Sequence, residues 1–214
     1  MKIIDHNLPQ LEQINTDHGR FYKTPQGLLY PSVTTILSSV PSPELDQWKL
    51  RVGPEEAERV SRIAAGRGTF IHQCCENYIL GKENKFSPLD FLEKPMFQNM
   101  ISHLDKFEEV HGVESRLYSD KLWVAGTVDC ISKIDGEMYA IDYKTSSHYK
   151  YASDIPNYFL QCAFYAFAFF ERTGIVVPKI RIIMTTKDDG VLVFDEKVKD
   201  WIGKFIELRK SVLK

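Results

Sequence analysis

The sequence predicts a mixed α/β (α+β) fold: a central mixed β-sheet flanked by helices, with an N-terminal helical and hairpin layer over it. Three observations lead there. Hydrophobic periodicity is helical from about residue 33 to 110 and strand-like from 113 to 145. Asp135-Gly136 stands between two apolar runs as a two-residue hairpin turn. An apolar helical stretch, 155–171, then separates those strands from two more. At 214 residues the chain suits one domain, with residues 1–60 as an accessory layer and 61–214 as the core.

Taken in order, 20–30 alternates apolar and polar residues around Pro25-Gln26-Gly27 and predicts a hairpin. Ser32 is placed to cap a short helix over 33–39. Pro41-Ser42-Pro43 breaks it, and a helix over about 44–51 follows. Gly53-Pro54 opens a charged helix to Ala65. Gly66-Arg67-Gly68 is expected to interrupt it before a second helix over 69–80, which Gly81 stops. A helix over about 94–110 ends at Gly112. Strands are expected at 113–118, 122–134 and 138–145, then a helix at 155–171. Two strands at 177–185 and 191–194 are joined by Asp188-Asp189-Gly190, and an amphipathic helix over 198–213 closes the chain.

Composition excludes several classes. With 43% hydrophobic and 26% charged residues the chain is neither disordered nor collagenous. Its longest apolar run, Cys162 to Phe170, is too short to span about 30 Å of hydrocarbon as a helix. Residues 1–13 mix Lys, Asp, His and Glu, unlike a secretory signal or a transit peptide, so a cytoplasmic protein of a bacterium or phage is expected. Cys74, Cys75, Cys130 and Cys162 form no C-x-x-C pair; reduced buried thiols are expected and no iron–sulfur cluster. A net charge of −2 does not announce a nucleic-acid partner, but a site of metal-holding carboxylates carries negative charge of its own.

The most informative stretch runs from Gly126 to Thr145. On the strand 138–145, Ala140, Asp142 and Lys144 share one face and Tyr139, Ile141 and Tyr143 the other. An Asp and a Lys two apart on a strand lie about 7 Å apart and project into one site. Asp129, on the neighbouring strand, can converge on Asp142. Two carboxylates with backbone carbonyls suit a hard cation such as Mg²⁺ or Mn²⁺. Taken alone, Asp142 and Lys144 also fit a solvated strand face with an incidental ion pair. Both acids, however, follow apolar residues of a strand that should be buried, where charges need partners or metals.

G-x-x-D, a short hairpin and apolar-D-Y-K-T together resemble motifs II and III of the PD-(D/E)xK nuclease superfamily, more narrowly its RecB-type exonuclease branch. Gly68-Thr-Phe-Ile-His72 resembles the upstream helix of that branch, and Gln161-Cys-Ala-Phe-Tyr165 its downstream Q-x-x-x-Y. Pro31-Ser-Val-Thr-Thr-Ile-Leu37 and Trp48-Lys49 resemble mitochondrial genome maintenance exonucleases and their bacterial and phage relatives. The resemblance implies a restriction-endonuclease-like core holding one or two Mg²⁺ or Mn²⁺ ions. His72, Asp129, Asp142 and the main-chain carbonyl of Tyr143 would be ligands, with Lys144 the catalytic lysine. Glu114 takes the place of the acid that opens the core strands, though it fits a solvated strand end equally well. Gln161 would support the lysine or the scissile phosphate, with Tyr165 one helical turn along, where ordinary packing is the other reading. Glu76, at i+4 from His72, reads as exposed or supporting.

The implied activity is a metal-dependent DNA exonuclease, working from single-stranded ends and leaving 5′-phosphate products. For substrate contacts, Arg67 lies between two glycines where a phosphate can approach. Ser32, Thr34 and Thr35 offer hydroxyls near a helix start. Phe21, Tyr22, Tyr30 and Trp48 either stack on bases or pack, and Lys150 and Tyr151 either touch DNA or sit in a solvated loop. The expected partner is single-stranded DNA or a DNA end, with replication or recombination proteins possible, no membrane, and a monomer. The alternatives are a non-catalytic nucleic-acid-binding module on the nuclease fold, and a structure-specific endonuclease of the iron–sulfur type.

Overall fold

The computed structural model describes residues 1–188 and 190–212. Asp189 of the expected turn and Leu213 of the expected last helix lie outside the described residues. The strands are β1 (Lys2–Ile3), β2 (Glu12–Thr16), β3 (Gly19–Lys23), β4 (Leu29–Pro31), β5 (Glu109–Ser119), β6 (Val124–Ile134), β7 (Glu137–Ser146), β8 (Lys179–Thr186) and β9 (Val191–Lys197). The helices are α1 (Val33–Ser38), α2 (Pro43–Val52), α3 (Pro54–Ile79), α4 (Glu93–Leu104), α5 (Pro156–Thr173) and α6 (Val198–Val212).

One six-stranded mixed sheet, in the order β1-β5-β6-β7-β8-β9, forms the centre. Asp135 and Gly136 both take positive φ, 50° and 79°, which is the turn that matches the twist of β6 and β7. β7 and β8 run parallel, so the chain must cross over between them, and α5 is that crossover. The two faces of β7 separate as the alternation predicts. Ala140 joins an apolar cluster with α1, α5 and α6, whereas Tyr139, Ile141 and Tyr143 join a second cluster with α3 and α4. Among the described residues, no helix is long and apolar enough to cross a membrane.

Four features differ from the expectation. The helix over 54–79 is continuous through Gly66-Arg67-Gly68. Each glycine costs only about 1 kcal/mol in a helix interior, and buried Ile71, Cys74, Cys75 and Ile79 hold the C-terminal half against the sheet. The next helix ends at Leu104, not near 110, because Glu109 and Val110 are taken into the sheet by β6 and β1. The N-terminal hairpin gains a strand, β2, making a three-stranded antiparallel sheet β2-β3-β4. Its buried Leu11, Tyr22 and Tyr30 pack on Tyr118 of β5 and Ala125 of β6. Finally, Lys2–Ile3 pairs in parallel with β5, a pairing too short to leave a periodic signature.

Candidate active site

The paired ladder between β6 and β7 extends from Ile134↔Glu137 to Cys130↔Ile141. At the next step Asp129 replaces a backbone acceptor: its Oδ2 accepts the main-chain N–H of Tyr143 at 2.7 Å. The strands therefore part where Asp129 and Asp142 stand. Asp142 is 1% exposed and its carboxylate is ion-paired with Lys144, two residues along the same face. Burial pushes the Asp142 carboxyl up to about 6 against the opposing pull of Lys144. Burial works against the Lys144 charge, yet Asp142 and Asp129 hold the ammonium above its ordinary range.

α3 brings His72 to the same opening. His72 Nε2 donates to the Tyr143 carbonyl at 2.7 Å, and Nδ1 lies 3.4 Å from Asp129 and 3.8 Å from Glu114. Burial disfavours the imidazolium, but Asp129 and then Glu114 outweigh it and lift the His72 pKa to about 11. Asp129 is held below its usual value because His72, Lys144 and the Tyr143 N–H together overcome its burial. Glu114 comes from β5, where a bulge shifts the pairing between Val110 and Gly112, and its own backbone is left-handed at φ 45°.

Ligand atoms of His72, Glu114 and Asp129 all lie within 4.8 Å of one another. This donor set fits a divalent cation. It offers two carboxylates and an imidazole, Asp142 is adjacent, and Lys144 is engaged with Asp142.

These groups share a cavity of about 410 Å³. α5 closes one side. Gln161 Nε2 donates to Asp142 Oδ1 at 3.1 Å and to the Tyr165 hydroxyl at 3.0 Å, so its amide holds the carboxylate that pairs with Lys144. Gly126 lets Tyr165 approach: a Cβ there would meet the Tyr165 ring at 2.8 Å and Val33 at 3.1 Å. Ser32 and Thr34 line the cavity too, but Ser32 is 1% exposed and its hydroxyl caps α1 by accepting from the Thr35 N–H.

Tyr22 lines the cavity as well, fully buried with its hydroxyl bonded to Thr127 at 2.9 Å, whereas Trp48, Lys150, Tyr30 and Arg67 are not among the lining residues. Trp48 is half-buried on α2, and Lys150 is half-buried in the segment after β7. Glu76 accepts from Gln73 and is no part of the ligand group. Tyr30 bonds Asp120. Arg67 is 7% exposed on α3; its Nη2 donates to Ser147 Oγ at 3.4 Å and its Nε has no partner.

Two cavity residues escaped the sequence reading. Tyr158 stacks beneath Lys144 Nζ, 4.7 Å from the ring centre. Its position three residues before Gln161 on one helix face was a usable signal. Arg20 enters from β3, and nothing in its local sequence marks it.

Residues 93–181 match the PD-(D/E)XK nuclease superfamily. The matched span contains Glu114, Asp129, Asp142, Tyr143, Lys144, Gln161 and Tyr165; His72 and the three-stranded sheet lie before it. The chain is also similar to mitochondrial genome maintenance exonuclease 1 of Mus musculus, 28% identical over 125 residues. That alignment covers 54% of this chain and 37% of the relative, so the chain spans little more than a third of the relative's length. Among solved structures it is similar to a "Putative exonuclease" from Eubacterium rectale, with 12% identity, a TM-score of 0.39 and 69% of each chain covered.

Proposed function

We propose that the chain is a Mg²⁺- or Mn²⁺-dependent DNA exonuclease that works from single-stranded ends and leaves 5′-phosphate products. The observation that carries this reading is the convergence of His72, Glu114 and Asp129 beside the Asp142–Lys144 pair in one open cavity. His72, Glu114, Asp129, Asp142 and the Tyr143 carbonyl would hold the cation. When bound, it supplies charge neutralisation at the scissile phosphate and acidifies water.

The chain's own residues do the rest. Lys144, kept charged by Asp142 and flanked by the Tyr158 ring, presents a positive donor to the attacking water and the phosphate. Gln161 fixes the Asp142 carboxylate in orientation, and Tyr165 fixes Gln161. Arg67 would hold a strand phosphate, since its buried guanidinium forms no ion pair among the described residues and its Nε has no hydrogen-bond partner there. Residues 1–60 would act as an accessory layer that guides the strand to a core formed by 61–214. The exonuclease name of the mouse relative supports exonuclease over endonuclease.

The test is cleavage of single-stranded and duplex DNA, labelled separately at each end, with Mg²⁺, with Mn²⁺ and with EDTA. Stepwise shortening of single strands is expected. EDTA and Asp142→Asn should abolish it, and Lys144→Ala should slow it by about 10²–10³-fold. Internal cuts would replace the exonuclease by an endonuclease. Absence of metal-dependent cleavage of any DNA or RNA would overturn the reading and leave a binding module.

A further inference from the structure

Arg20 is the cavity residue with no assigned task. It sits on β3, faces solvent, and lines the same cavity as His72, Glu114, Asp129, Asp142 and Lys144. Although three carboxylates share that space, its guanidinium makes no ion pair and no side-chain hydrogen bond among the described residues. The other arginines are mostly engaged. Arg59 pairs with Glu56, Arg172 with Asp120 and Glu171, and Arg181 with Asp195. Arg116 donates to the Leu11 carbonyl, Arg209 to the Leu122 carbonyl, and Arg67 to Ser147. Arg51 and Arg62 also have no side-chain partner among the described residues, but they stand exposed on α2 and α3 and do not line the cavity.

The backbone of Arg20 is fixed more firmly than that of an ordinary exposed strand residue. Its N–H donates to Thr35 Oγ1 at 3.0 Å, and its carbonyl accepts from Thr35 Oγ1 at 3.0 Å and from the Ser32 N–H at 2.8 Å. Gly19 makes this docking possible, because a Cβ there would meet the Thr35 side chain at 2.7 Å. Two residues further on, the Tyr22 hydroxyl is hydrogen-bonded to Thr127 of β6 at 2.9 Å, tying the small sheet to the strand that carries Asp129. A rigid backbone thus carries a free, forked cation to the rim of an acidic pocket. Guanidinium matches a phosphate with two parallel donors, and one placed apart from the acids meets the phosphate the acids do not hold.

We infer that Arg20 binds the phosphate next to the scissile one in a single-stranded nucleic acid, which makes the three-stranded sheet part of the substrate site. The inference rests on the nuclease reading for the substrate class, and the experiment separates the two. Binding of a dye-labelled oligothymidine is measured by anisotropy across a salt series, with Mg²⁺ present, in the Asp142→Asn background. Arg20→Ala is expected to raise Kd about tenfold or more, and to reduce the slope of log K against log salt by about 0.7, one single-strand phosphate contact. Arg20→Lys keeps the charge and the slope. Arg62→Ala keeps both the affinity and the slope of its parent. Because the Arg20 side chain is exposed and makes no hydrogen bond or ion pair among the described residues, Arg20→Ala is expected to keep the parent's Tm.

Unchanged affinity and slope in Arg20→Ala, an equal loss in Arg62→Ala, a fall in Tm that accompanies the loss, or a parent that binds no strand would each overturn the inference. If binding depends on Arg20 but the native chain cleaves nothing with any metal, the nuclease reading fails and the phosphate site stands. If the native chain cleaves and Arg20→Ala binds and cleaves equally well, the phosphate site fails and the nuclease reading stands.

Discussion

His72 shows how one side chain couples charge, fold and metal. In the metal-free protein its pKa is lifted to about 11 from an ordinary 6.5. A raised pKa means that the folded state keeps a proton the unfolded chain gives up. The stability from His72 is therefore complete below pH 6.5 and is lost as pH rises toward 11. At full slope the loss is about 1.4 kcal/mol per pH unit, or roughly 2–5 °C in Tm for a chain of this size. Thermal melts in EDTA from pH 6.5 to 9 should show that decline, and His72→Gln should flatten it. Arg67 makes the opposite case. A buried guanidinium whose Nε lacks a partner adds little to the fold. Arg67→Met should leave Tm unchanged or raise it, while oligonucleotide affinity falls; a Tm drop of several degrees would assign Arg67 to the scaffold instead.

At the scale of elements, two glycine positions separate packing from access. Gly126 is needed for packing, since a methyl group there collides with Tyr165 and Val33. Gly126→Ala should cost about 1–3 kcal/mol, and cleavage should fall further than stability does, because Tyr165 can no longer hold Gln161 against Asp142. Gly66 and Gly68 have nothing within 4 Å of where a Cβ would go. Alanine at both should stabilise α3 by about 1 kcal/mol each. If a strand passes Arg67 closely, melting temperature and DNA affinity will move in opposite directions. The sequence reading mistook these glycines for a helix break because local propensity is weak beside the burial of Ile71, Cys74 and Cys75. It placed β6, β7 and α5 closely, since a turn that demands positive φ and a long apolar helix are strong local signals. It had no means of finding Arg20, whose place depends on how β3 docks against Thr35 and Ser32.

For the molecule as a whole, metal and fold should be linked. A ligand that binds only the folded state, at about one hundred times its dissociation constant, adds roughly 2.7 kcal/mol. Mn²⁺ should therefore raise Tm by several degrees, and Asp129→Asn should cancel most of the rise; an equal rise in that variant would place the ion elsewhere. His72 and Asp129 come from opposite sides of this linkage: α3 precedes the span that matches the nuclease family model and β6 lies within it. The motif-bearing hairpin was legible because its chemistry and its geometry lie in one stretch of chain. The cavity wall was not, because it is assembled from pieces more than 90 residues apart, as in the Tyr22–Thr127 contact. β5 also does something for the molecule's life among its own copies. β1 pairs with its outer edge at Glu109 and Val110, and the segment after β1 stays beside it, with His6 bonded to His111 and Arg116 donating to the Leu11 carbonyl. A regular, uncovered edge would invite another chain to pair with it. The bulge at 110–112 and the left-handed turn at Glu114 disrupt the regular spacing of amides that such pairing needs. The distortion that carries Glu114 toward the candidate cation site should thus also work against edge pairing; evening out that strand is expected to raise self-association, which light scattering would read.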